Sequence, residues 1–143
     1  MLFSALEEYA AVLGEPFTVI PETQNSDYES GLARIHGESW HVRTARITPT
    51  KPGAFLAFWR RDGEGRTAPF GRGDIGAGLL VFVEDSGRRG VFRFTAAYLE
   101  ELGITAGARP GKRGFRVYPV WCDELNPQAT RTQRAQVPAF QEY

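Results

Sequence analysis

The chain has one cysteine, Cys122, so no disulfide can close within it and no pair of thiolates is available to grip a metal. Cys122 also has no recognisable histidine partner in sequence, which argues against a thiol nucleophile. Its two histidines, His36 and His41, lie five residues apart with no third ligand near them, short of a metal site. Apolar runs are brief; Leu79-Leu80-Val81-Phe82-Val83 falls far below the ~20 residues needed to span a bilayer. The first residues carry no basic export signal and run directly into Glu7-Glu8, so the expected location is cytoplasmic. Neither a cofactor nor a membrane partner is expected. Lysine is scarce as well: Lys51 and Lys112 are the only two, and the other 15 of the 17 basic residues are arginine. Arginine favours bidentate contact with phosphate or carboxylate, although a GC-rich codon bias produces the same excess.

The charge is unevenly placed. Residues 1–30 carry six acids and no lysine or arginine, whereas residues 31–143 carry all 17 bases against 11 acids. The net charge of zero therefore hides an acidic leading segment and a basic body. With 143 residues, 42% apolar and 24% charged, the composition suits one domain over residues 1–143, built around one core.

The pattern of residues predicts an α+β fold. Leu2, Phe3, Leu6, Tyr9, Ala10 and Leu13 recur at helical spacing and stop at Gly14. Residues 21–28 read as a polar loop. Gly31–His36 and Trp40–Thr48 read as two arms of a hairpin joined by Gly37-Glu38-Ser39, and Ala54–Arg61 as one further strand. Leu79–Glu84 and Gly90–Phe94 form a second hairpin, followed by a short helix from Ala96 capped by Thr95. Phe115–Tyr118 is a late strand, and Asn126-Pro127 opens a last helix running through Gln136. A central antiparallel or mixed sheet flanked by helices is expected, with Trp40, Phe55, Trp59, Leu80, Phe82, Phe92, Phe94, Phe115 and Val117 in a single core. Gly71-Arg72-Gly73-Asp74-Ile75-Gly76 has the letters of a dinucleotide fingerprint, but it precedes a strand and opens no helix, so the phosphate-binding geometry is missing.

Bases and aromatics interleave in a way that suits nucleic acid. Arg43, Arg46 and Lys51 leave the first hairpin, Arg61 follows Trp59, and Lys112, Arg113 and Arg116 enter the late strand. Gln133 sits on the last helix. Arginine and lysine neutralise phosphate, aromatic rings stack on bases, and glutamine reads base edges. Two other uses of the same residues stand beside this one. Glu22, Asn25 and Tyr28 with Arg43 and Arg116 make a pocket for a small anion or a protein partner, or an arginine pairs with Glu22 or Asp27 and merely pins the loop to the sheet.

Several separated segments resemble the MepB family, named from a small protein encoded beside a staphylococcal multidrug efflux pump. They are Glu22-x-Gln24-Asn25-Ser26-x-Tyr28, Arg43-x-Ala45-Arg46-Ile47-Thr48-Pro49-x-Lys51-x-Gly53, Phe55 with Trp59-x-Arg61, and Pro69-Phe70. Gly111-Lys112-Arg113-Gly114-Phe115-Arg116-Val117-Tyr118-Pro119-x-Trp121 and Gln128-Ala129-x-x-Thr132-Gln133-x-x-Gln136 complete them, in the same order. The resemblance implies an α+β core similar to restriction-endonuclease-like proteins, with nucleic-acid binding. A nuclease of that fold takes metal ligands and its lysine from Asp/Glu-x-Lys, and neither lysine here has an acid two residues before it. The family usually has lysine where this chain has Arg46. The expectation is therefore binding without cleavage; the alternatives are a degenerate metal site of Glu22 with Glu84 or Asp85, or the small-anion or protein-binding module.

Overall fold

The computed structural model describes residues 3–143, so Leu2 of the first predicted helix lies outside the described residues. The elements in order are α1 (Ser4–Leu13), β1 (Phe17–Pro21), β2 (Gly31–Ile35), β3 (Glu38–Thr44), β4 (Arg46–Ile47), β5 (Ala54–Ala57), β6 (Arg60–Arg61) and β7 (Thr67–Ala68). They continue with β8 (Gly78–Asp85), β9 (Arg88–Thr95), α2 (Ala96–Glu101), β10 (Gly114–Val117), α3 (Pro127–Gln136) and β11 (Phe140–Glu142). Six strands form a central mixed sheet in the order β1-β2-β3-β8-β9-β11, antiparallel except for the parallel pair β3–β8. A smaller sheet, β10-β5-β4, is antiparallel throughout.

The expected single core is in fact two, because the central sheet is covered on both faces. Alternation along β8 sends Leu80 and Phe82 to one side, where α1 buries Phe3, Leu6 and Tyr9 against them with Trp40, Val42 and Val91. It sends Leu79, Val81 and Val83 to the other side, against Phe92, Phe94, Leu99 of α2 and the inner residues of the small sheet, Ala54, Leu56, Phe115 and Val117. A strand buried on both faces reads as a continuous apolar run, which is what Leu79–Val83 is. Of the expected core residues, Phe55 and Trp59 belong to neither cluster of buried residues; both are half-buried.

Both hairpins turn on two residues with positive φ, His36-Gly37 (53° and 73°) and Ser86-Gly87 (52° and 83°). This twist matches that of the flanking strands, so β3 begins at Glu38 instead of after a three-residue connection. The strand expected over Ala54–Arg61 breaks into β5 and β6 because the Trp59 amide donates to the Asn25 side chain (3.2 Å) and not to a neighbouring strand. The helix ends agree with their caps: Thr95 accepts from the Tyr98 amide, Asn126 from the Ala129 amide, and Gly14 takes the left-handed conformation after α1. Among the described residues, no helix is long and apolar enough to cross a membrane.

Candidate functional site

Parity along β3 decides the first polar cluster. Trp40 and Val42 point toward α1, which leaves His41 and Arg43 facing the small sheet, and both are buried. Arg43 is fully buried. Its guanidinium donates to Glu22 Oε1 (3.3 Å), Asn25 Oδ1 (2.9 Å) and the carbonyls of Val42 (2.8 Å) and Ala57 (3.2 Å), and stacks 5.2 Å from the Phe58 ring. Burial lowers its pKa to about 10, with the Glu22 charge opposing the fall, so it remains cationic at neutral pH. Glu22 also accepts from the Ser30 hydroxyl (3.1 Å) and the Gln24 amide (2.9 Å), with His41 Nδ1 3.8 Å away.

Arg43 thus meets no ligand at the surface, which corrects its placement among the nucleic-acid contacts: it pins the Glu22–Tyr28 loop to the sheet. Glu22 and Asn25 are spent on the same task, so they do not wall an open pocket, and Tyr28 packs edge-on against Phe55 at 6.1 Å. The Glu22 carboxylate is engaged by Arg43, Ser30 and Gln24 and is not joined by Glu84 or Asp85, which sit in the β8–β9 hairpin opposite Arg89 and Arg88.

The Glu22 cluster has a pH signature. Burial alone raises a carboxyl pKa, but the nearby His41 and Arg43 and the Ser30 hydroxyl outweigh it and hold Glu22 below its ordinary 4.5. A depressed folded-state value adds stability above the unfolded pKa, and that stability is lost as pH falls through the folded one. Urea unfolding from about pH 6 down to about pH 3 is expected to show a shallower acid loss for Glu22→Gln than for the unmodified protein. Parallel acid limbs in the two proteins would rule out this coupling.

The other basic residues divide differently. Lys51, Lys112 and Arg116 line one cleft of about 520 Å³ between the outer edge of β10 and α3, with Phe115, Ile104 and Leu102 at its apolar wall. Asn126, Gln128, Thr132 and Gln136 supply its polar wall, and no aspartate or glutamate lines it. A cleft of this size, partly apolar with a few convergent polar groups, has the character of a binding site. Gln136 makes the arrangement possible by closing the β10 edge: its amide donates to the Arg116 carbonyl (2.8 Å) and accepts from the Tyr118 amide (2.9 Å).

Arg46 lies on the outer face of the small sheet, since both it and Arg116 sit directly opposite Phe55 in the neighbouring strands. Arg113 is exposed at the start of β10, and Arg61 is on β6 with its guanidinium 4.8 Å from the Trp59 ring. Gln133 is not free to read bases, because its amide donates to the carbonyls of Pro119 (2.9 Å) and Cys122 (3.0 Å). Among the described residues, Arg46, Lys51, Arg61, Lys112, Arg113 and Arg116 make no ion pair with a carboxylate, and neither do Arg34, Arg93, Arg109, Arg131 and Arg134, whereas Arg43, Arg60, Arg66, Arg72, Arg88 and Arg89 each do. The acidic leading segment accounts for part of this division: Glu8 takes Arg89 and Glu22 takes Arg43.

Comparison with known proteins adds family and fold. The sequence model of the MepB-like family matches residues 22–142, most of the chain. The chain belongs to the MepB-like family. A crystal structure of MepB superposes on this MepB-like protein with a TM-score of 0.87 at 30% identity, covering 99% of this chain and 97% of that one. No curated protein sequence matches it.

In this MepB-like protein the segments that carry the resemblance build two places. Glu22 to Tyr28 and Arg43 form the buried pin, while Lys51, Lys112, Arg116, Gln128, Thr132 and Gln136 ring the cleft. The cleft face of α3 is present in the sequence as Gln128, Thr132 and Gln136, a four-residue spacing that places all three on one side of a helix. His41 reads in sequence as a lone histidine, although its two-residue spacing from Arg43 puts both on the same face of the strand.

Proposed function

We propose that this MepB-like protein binds nucleic acid through the cleft of Lys51, Lys112 and Arg116 and the adjoining outer face of the small sheet. The observation that carries the reading is the convergence of three unpaired cations from separate segments on a cleft lined by no carboxylate. Positive charge gathered in a cleft without carboxylates favours an anionic ligand from outside. Arg46 and Arg113 extend the positive surface beyond one phosphate, which favours a polyanion over a small anion.

The role is binding and not cleavage. Phosphodiester hydrolysis on two metal ions needs carboxylate oxygens beside the scissile phosphate, and the cleft offers amides, two hydroxyls and cations. Titrating labelled DNA and RNA oligonucleotides across a salt series tests both parts. With three phosphates neutralised, log affinity is expected to fall against log salt with a slope of about −2 to −3, and the strand is expected to come back uncut in Mg²⁺. Affinity indifferent to salt would contradict the binding reading, and Mg²⁺-dependent cutting abolished by Glu22→Gln would contradict the non-catalytic one.

A further inference from the structure

The outer face of the small sheet carries an arrangement that the cleft does not require. Along β5 and its extended continuation, Leu56 and Phe58 are fully buried, while the alternate residues Phe55, Ala57 and Trp59 face outward and are half-buried. A side chain at Gly114 would collide with the Phe55 ring (2.7 Å from its Cζ), so this glycine gives the ring room to lie across β10. Each outward ring has a guanidinium over it: Arg116 is 6.0 Å from the centre of the Phe55 ring and Arg61 is 4.8 Å from that of Trp59. Arg46 stands opposite Phe55 on its other side. Phe55 and Trp59 are four residues apart, about 13 Å along fully extended chain, which suits one base on each ring.

We propose that the preferred ligand of this face is single-stranded nucleic acid, with bases stacked on Phe55 and Trp59 and the backbone running along Arg46 and Arg116 toward Lys51 and Lys112. The inference rests on the nucleic-acid reading and specifies the form of the ligand. A π face accepts any base but reaches it only when the base is out of a duplex, whereas cations alone serve either form. Duplex reading needs a helix or ribbon that enters a groove. On α3, Gln133 is engaged with the backbone of Pro119 and Cys122 and Gln136 with that of Arg116 and Tyr118, while Gln128, Arg131 and Arg134 stay exposed, so the duplex arm of the test below decides between the two forms.

The test uses the whole chain and three ligands of about 12 nucleotides, each followed by fluorescence anisotropy at fixed salt: oligothymidine, a duplex, and an abasic phosphodiester of equal charge. Oligothymidine is expected to bind at least about 10-fold more tightly than the abasic strand and more tightly than the duplex. Phe55→Ala and Trp59→Ala are each expected to weaken oligothymidine binding about 5- to 100-fold and to change duplex binding less than about 2-fold. Phe55→Leu, which keeps the packing volume and removes the π face, follows Phe55→Ala if stacking is responsible. If Phe55→Ala fails to fold, Trp59→Ala and the ligand comparison with the unmodified protein still decide. Equal affinity for thymidine and abasic strands, or a preference for duplex, would overturn the single-strand proposal and leave the nucleic-acid reading standing. Failure of all three ligands to bind would overturn both.

Discussion

An Arg43→Ala protein is expected to lose about 3 kcal/mol of folding stability while the folded fraction keeps its nucleic-acid affinity. Removing one member of a buried ion pair costs roughly 3–5 kcal/mol, chiefly because the other charge is left behind without compensation. The low end applies because the side chain of Glu22 stays 19% exposed and keeps some hydration, whereas Arg43 has none to lose. The same change removes the arginine donor from Asn25 Oδ1 and from the carbonyls of Val42 and Ala57, so the loop from Glu22 to Tyr28 keeps its tie to the Trp59 amide but loses its link to β3. Against a total stability of ~5–15 kcal/mol for a domain, the drop is large enough to read directly from the midpoint of urea unfolding. Arg43→Lys keeps the charge but has no planar fork to satisfy Glu22, Asn25 and two carbonyls together, so it recovers only part of the loss. A variant as stable as the parent but unable to bind oligonucleotide would move Arg43 from anchor to contact.

The second large effect is on binding. Replacing Lys51, Lys112 and Arg116 together by alanine is expected to flatten the plot of log affinity against log salt by about 2 to 3 units, since each phosphate no longer neutralised removes ~0.7–0.9. All three side chains line the cleft, and among the described residues the one hydrogen bond they make to the backbone is the Arg116 donation to the Pro52 carbonyl (3.1 Å). Unfolding midpoints should therefore move far less than for Arg43→Ala. Arg88 and Arg89 are the natural control. Their guanidinium groups pair with Glu142 and Glu8 at 2.8 Å, and substituting both is expected to leave the slope unchanged. Equal losses from the two sets would mean that general charge, and not this cleft, attracts the ligand.

Much of the fold was legible because local rules agreed with tertiary packing. Gly14, Thr95 and Asn126-Pro127 each end or begin a helix by chemistry confined to a few residues, and the structure keeps all three. β1 and β11 carry no such signal, because Phe17–Pro21 ends in a proline and Phe140–Glu142 is three residues long; such edge strands are defined by their partners β2 and β9 more than by their own pattern. The two-sided core was implicit in Leu79–Val83, but an unbroken apolar run has no period to say which residue faces which layer. For the site, charge and residue type gathered the right segments without separating their depths. Arg43 and Arg116 are the same side chain on two strands, one fully buried and the other lining the cleft, and the difference is set by the strand face and by the Glu22 loop that folds back from far away in sequence.

The scarcity of lysine provides the most direct measurement. Both lysines of the chain line the cleft, so an amine-selective acetylating reagent reads this one site, apart from the terminal amine, and peptide mass spectrometry reports each position separately. Lys51 and Lys112 are expected to acetylate readily in the free protein and to be protected together when saturating oligonucleotide is added, with protection fading as salt rises. Unchanged acetylation of both lysines under conditions where the oligonucleotide is demonstrably bound would contradict the assignment of the cleft as the nucleic-acid site.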